Sequence, residues 1–168
     1  MQSRRLVLVQ LGLMVAGLTV ATGALAAPRL YRNEAMKVRA FDPPSGWELA
    51  PQVSYPGLLA SYTHADGGRL TLAAQRVAAT VDSKQLAEQS RPVLERQGFA
   101  SIKLTPEEGG LRLDATLDGG KRLVRQHYRV VAPFGYVVTM IAPVEKAAKF
   151  QRDFEDALRS LNLVGPDK

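Results

Sequence analysis

The chain contains no cysteine. That absence excludes disulfides, thiolate catalysis, cysteine-ligated metals and lipoprotein anchoring through a cysteine. Histidine occurs only twice, as His64 and His127. A metal site would therefore have to combine both with a carboxylate such as Asp66 or Asp114, and strand-end histidines at the surface are the commoner arrangement, so no metal and no cofactor are expected. No serine lies in a Gly-x-Ser-x-Gly setting; Ser61, His64 and Asp66 make a triad only on paper, because Ser61 falls mid-strand. Gly109-Gly110 and Gly119-Gly120 lack the Lys-Ser/Thr and following helix of a phosphate loop and read as hairpin glycines. Glu107-Glu108, between Pro106 and Gly109, reads as a solvated carboxylate pair. Runs of like charge are also missing. Lysine and arginine number 22 against 16 acidic residues, a formal +6 spread along 168 residues. Dispersed bases describe a solvated basic surface rather than a nucleic-acid stripe, and no nucleic-acid partner is expected. No catalytic residues stand out, and the chain reads as a non-enzyme.

What is present begins with a leader. Arg4 and Arg5 precede an apolar run to about Ala21, closed by Ala24-Leu25-Ala26. Basic start, apolar centre and small-x-small closure are the parts of a cleavable signal peptide over 1–26, with cleavage expected after Ala26. The run is short for a membrane span and is interrupted by Gln10, Gly12 and Gly17, so no stable span is expected after cleavage. Ser3-Arg4-Arg5-Leu6 also partly matches a twin-arginine signal, which leaves both that route and the general secretory route open. The expected location is periplasmic or secreted, with one domain over 27–168 and a folded core over about 35–163.

Residues 27–33 read as an irregular, arginine-bearing stretch, and Ala35–Phe41 alternates like a strand. Pro43 and Pro44 end it, Gly46 permits a turn, and Trp47, the one tryptophan, anchors the short strand Trp47-Glu48-Leu49. After a loop bracketed by Pro51 and Pro56, Leu58–His64 and Arg69–Arg76 form a hairpin around Asp66-Gly67-Gly68. Asp82-Ser83 offers an N-cap, Gly98 a stop, and Pro92 between them must kink or divide the helix. Strands over Phe99–Leu104, Leu111–Leu117 and Arg122–Val131 follow, then a connection at Ala132–Gly135. If Gly119-Gly120 is a two-residue loop, Asp114 faces Arg125, Arg112 faces His127, Leu113 faces Gln126 and Leu111 faces Tyr128. Tyr136–Ala142 is apolar at both parities, as a strand covered on both faces would be. A last helix over about 144–161 carries Ala147, Phe150, Phe154, Ala157, Leu158 and Leu161 on one stripe. Hairpins, an inserted helix, more hairpins and a terminal helix make an α+β fold, an antiparallel sheet sandwiched by helices.

Phe41-Asp42-Pro43-Pro44-Ser45-Gly46-Trp47, the strand Phe134-Gly135-Tyr136-Val137-Val138-Thr139 and the closing Phe150, Phe154, Ala157, Leu158 helix together resemble the PsbP-like family, which includes the Mog-type and DcrB-type proteins. The resemblance implies an α/β/α sandwich. It also implies a mostly non-enzymatic role as accessory subunit, small-GTPase partner or exported protein of unassigned process, and it brings no catalytic residues. On that basis the expected function is an exported binding or accessory protein acting through protein contacts in the cell envelope. The surface to examine is the stripe Arg112, Asp114, Arg125, His127 and Arg129, which would suit an anionic partner or would be an ordinary polar sheet face with an Asp114–Arg125 pair. The alternative is a small-ligand or lipid-binding protein with a pocket between sheet and helix near Trp47 and Tyr62.

Overall fold

A computed structural model describes residues 30–51 and 56–165. The leader and its cleavage site lie outside the described residues. Within them, no helix is long and apolar enough to cross a membrane.

A seven-stranded antiparallel sheet forms the body. Its strands are β3 (Trp47–Leu49), β4 (Leu58–His64), β5 (Arg69–Arg76), β6 (Ala100–Glu107), β7 (Gly110–Leu117), β8 (Arg122–Val131) and β9 (Phe134–Pro143), in the spatial order β3-β4-β5-β9-β8-β7-β6. A small second sheet joins β1 (Tyr31–Asn33), β2 (Val38–Phe41) and β10 (Asn162–Leu163) in the order β1-β2-β10. Helices α1 (Ser83–Arg96) and α2 (Ala147–Ser160) complete the fold. The α+β sandwich expected from the sequence is the architecture observed.

The two helices lie on opposite faces and are offset. Helix α1 packs on β7 and β8 and touches β6, whereas α2 packs on β9 and on β2 of the small sheet. Strand β9 is central, which explains its unbroken apolar run. Tyr136, Val138, Met140 and Ala142 enter the core beneath α2 with Trp47, Phe150 and Phe154. Val137 and Ile141 enter the core beneath α1 with Leu86, Leu94 and Tyr128.

Helix α1 begins with a reciprocal capping box. The Asp82 carboxylate accepts from the Gln85 N–H at 2.7 Å, and the Gln85 side chain accepts from the Asp82 N–H at 3.0 Å. It ends as a Schellman motif: Gly98, at φ +88°, donates to Glu95, and Phe99 donates back to Leu94. Pro92 does not divide the helix. Pro92 and Glu88 are both exposed, so the Glu88 carbonyl that loses its donor faces water, where the loss costs little.

Three local expectations change. Tyr31–Asn33, expected to be irregular, pairs with β2. The first long strand starts at Val38 rather than Ala35, because Glu34–Lys37 forms a turn with Lys37 at φ +55°. The Asp118–Gly120 connection is a single 3₁₀ turn, not a two-residue loop, although the four expected cross-strand pairs all form.

Trp47 holds β3 to α2. It is 1% exposed, meets Phe150 edge-on at 5.5 Å, and its indole N–H donates to Asp153 at 3.0 Å. Gly68 makes that packing possible: a Cβ there would stand 2.4 Å from the Phe150 ring and 2.9 Å from Trp47.

The far edge of the large sheet, β6, is irregular. Its pairing with β7 shifts register between Ala100 and Lys103, with Ser101 at φ +54°, and Pro106 removes a backbone donor near its end.

Candidate functional site

Among the described residues, the offset of α2 leaves the β6–β7–β8 half of its face without helical cover, and the polar stripe lies there. Alternation puts Arg125, His127 and Arg129 of β8 on the same side as the covered Tyr136, Val138 and Met140 of β9, since these residues pair directly. Arg112 and Asp114 of β7 oppose His127 and Arg125, and β6 extends the row with Lys103, Thr105 and Glu107. Leu111, Leu113 and Ala115, the alternate residues of β7, point the other way into the core beneath α1.

The charges on this face form a chain of alternating sign. Arg125 Nε donates to Asp114 Oδ1 at 2.6 Å, and Arg112 Nε donates to Asp114 Oδ2 at 2.9 Å. Arg112 Nη1 is bound to Glu107 Oε1, and Glu107 Oε2 lies 3.4 Å from His127 Nδ1. The Asp114–Arg125 pair allowed by the sequence is therefore present, but as one link of a network. Arg112, Asp114 and Glu107 keep between 23% and 29% of their side chains in water, and Arg125 11%. Each guanidinium has five N–H donors, so Nη groups remain on both arginines after these contacts. Arg129 and the exposed Lys103 have no ion pair among the described residues.

His127 is the least ordinary member. Its Nδ1 is buried and makes no well-formed hydrogen bond among the described residues, although Glu107 Oε2 stands within 3.4 Å. Burial lowers its affinity for a proton below the usual imidazole value; Glu107 acts against this, while Arg129 and Arg112 reinforce it. Gly110 opposes Glu107 at the β6–β7 turn, where a Cβ would lie 2.7 Å from His127 Nε2 and 2.3 Å from the Tyr128 carbonyl oxygen.

Trp47 and Tyr62 do not line a pocket. Both are in the core at 1% and 0% exposure, and the Tyr62 ring meets Phe41 edge-on. Desolvation raises the Tyr62 phenol above its ordinary value, as core burial requires. A shallow depression lies elsewhere, at Pro56, Gly57, Ala73, Gln75, Gly135 and Val137, with room for about one water molecule.

The two histidines are not neighbours. Strands β5 and β9 separate β4 from β8, a spacing of about 14 Å at the usual interstrand distance. Ser61 and His64 are three residues apart on one strand and point to opposite faces, so the paper triad does not assemble. His64 instead lies against Trp47 and Phe150, and its Nδ1 accepts the Asp66 N–H at 3.0 Å. The Asp66 carboxylate receives Lys146 at 2.7 Å and Lys149 at 2.6 Å, and these hydrogen bonds hold it well below the usual carboxylate range. This cluster ties the β4–β5 hairpin to the start of α2.

Sequence reasoning missed Glu107 as a partner of the stripe. The hairpin spacing was the available signal: a Glu108-Gly109 turn sets Glu107 opposite Gly110 and diagonal to Arg112. Nothing comparable pointed to Lys146 and Lys149, which reach Asp66 through tertiary packing alone.

No family model matches the chain, and no curated protein matches it in sequence. Solved structures do match in fold. The solution structure of cyanobacterial PsbP (CyanoP) from Synechocystis sp. PCC 6803 superposes with a TM-score of 0.56 at 11% identity, covering 86% of this chain and 98% of that one. The E65A mutant of the protein Mog1 gives 0.54 at 11% identity, covering 82% and 96%. A crystal structure from Bacteroides thetaiotaomicron VPI-5482 gives 0.50 at 14% identity, covering 77% of this chain and 46% of that longer one. With its element order, its half-covered sheet and these neighbours, the chain has the PsbP/Mog-like fold.

Proposed function

We propose that this is an exported, non-enzymatic binding or accessory protein that acts through contact with a protein partner in the cell envelope. The observation that carries the proposal is the β6–β7–β8 half-face. It presents a hydrogen-bonding surface of Lys103, Arg112, Asp114, Arg125 and Arg129, with guanidinium donors left over and no helix packed on it among the described residues. Export rests on the arginine-led leader and its Ala24-Leu25-Ala26 closure. Two enzyme assemblies allowed by the sequence lose their geometry, since Ser61 faces away from His64 and the histidines lie on separated strands. A ligand pocket at Trp47 and Tyr62 loses its lining, because both residues are core.

The test is site-specific photocrosslinking in the producing cell. A photoreactive residue at Thr105 on the open face should yield one discrete protein adduct, lost when Arg129→Glu is introduced. The same residue at Lys84, on the outer side of α1, should yield none. Equal adducts from both positions, or none from Thr105, would overturn the reading.

A further inference from the structure

The alternating chain on the open face has one weak link, and the link is titratable. At neutral pH the two carboxylates hold Arg112 and Arg125, so the cations left for a partner are Arg129 and Lys103 together with spare Nη donors. Glu107 is divided between two neighbours: Oε1 holds Arg112, while Oε2 stands 3.4 Å from the unsatisfied Nδ1 of His127. A neutral imidazole can offer Glu107 only an uncharged N–H, and only in one of its two tautomers. A protonated one donates from both nitrogens, and its Nδ1–H can form a charge-assisted bond with Glu107. The charged groups facing His127 are Glu107 from β6, Arg112 from β7 and Arg129 from its own strand; its β9 neighbour, Val138, is apolar.

We propose that the partner offers this face an acidic protein segment, and that His127 tightens the grip in mildly acidic medium by drawing Glu107 away from Arg112. The inference rests on the protein-contact reading above and names the partner's chemistry and its regulation. Charge complementarity selects the partner, because four cations (Lys103, Arg112, Arg125, Arg129) share the face with two carboxylates, and the added proton raises the imbalance. Aspartate and glutamate in the segment stay ionised through the range in which histidine titrates, so the field rises on one side only. The segment must lie across the strands rather than extend the sheet, since the register shift at Ser101 and the proline at 106 spoil β6 as a template. Burial of His127 moves the change to a lower pH than that of a free imidazole.

The probe is a tetramethylrhodamine-labelled hexa-aspartate peptide, followed by anisotropy at constant ionic strength at about pH 8 and about pH 5, the lower value chosen because the folded imidazole holds its proton less tightly than a free one. The purified protein should bind more tightly at the lower pH, by roughly three- to tenfold for one added and one released charge at a part-exposed site. His127→Gln should bind weakly at both values. Glu107→Gln, which frees Arg112 permanently, should bind tightly at both. A pH step that survives in His127→Gln would overturn the switch. Absence of peptide binding at either pH would overturn the acidic-segment assignment, as would retention on phosphatidylglycerol vesicles without peptide binding. Either failure alongside an intact Thr105 adduct removes this inference alone; loss of the adduct removes the reading beneath it.

Discussion

Replacing Trp47 by phenylalanine isolates the contact that fastens the first strand of the large sheet to the last helix. Phenylalanine keeps an aromatic ring in the site between His64 and Phe150 but cannot donate to Asp153. A hydrogen bond to a charged acceptor contributes about 1.5–3 kcal/mol, and Asp153 is only half-buried, so water recovers part of it and about 1 kcal/mol is lost. The smaller ring gives up roughly another 1 kcal/mol of buried contact at a position 1% exposed. The expected total is about 2 kcal/mol, or about 6 °C in Tm for a domain of this size. Urea unfolding must be followed by circular dichroism, because the variant has no tryptophan. Asp153→Ala supplies the control: combined with Trp47→Phe it should cost less than the two changes summed, by about 1 kcal/mol. A loss below about 0.5 kcal/mol for Trp47→Phe, or strict additivity, would refute the view that this bond fastens β3 to α2.

Two further outcomes follow from the open face. Gly110→Ala places a methyl against the Tyr128 carbonyl and the His127 ring, and should cost about 2 kcal/mol or more; Gly165→Ala, in open space, should leave the urea midpoint unchanged. The folded state resists the proton that an unfolded His127 accepts near pH 6.5, so this residue's contribution is complete above about that pH and is lost as pH falls toward the lower folded value. His127→Gln should therefore flatten the fall in urea midpoint between about pH 7.5 and 5.5, whereas an unchanged slope would assign that fall to other groups.

The fold was legible where local chemistry and tertiary context agree. Asp82 capped α1, Gly98 stopped it, and Tyr136–Ala142, apolar at both parities, proved to lie in the strand with a core on each side. Of the two outcomes open at Pro92, division did not occur, because a helix loses only one hydrogen bond there when the orphaned carbonyl faces solvent. Tyr31–Asn33 was missed because three residues are too few to show a period. At the site, hairpin register brought Arg112, Asp114, Arg125 and His127 onto one face, since pairing across a short turn is a local matter. Helical cover is not local. Only the placement of α2 over β9 rather than β8 decides that the stripe is open, and only packing decides that Trp47 and Tyr62 are core anchors instead of pocket walls.

The small sheet has a consequence for timing. Strand β2 finds its partner in β10, and the Asp42 N–H is held by Ser160 across 118 residues of sequence. The Trp47–Asp153 bond spans a similar distance. These closures are unavailable until the last helix has been synthesised, and contacts so remote in sequence form slowly. A growing chain of this design can form its early hairpins, but it spends its synthesis with the β10 side of β2 unpaired and the α2 side of the core open. The fold would lock only when α2 and β10 reach β2 and Trp47.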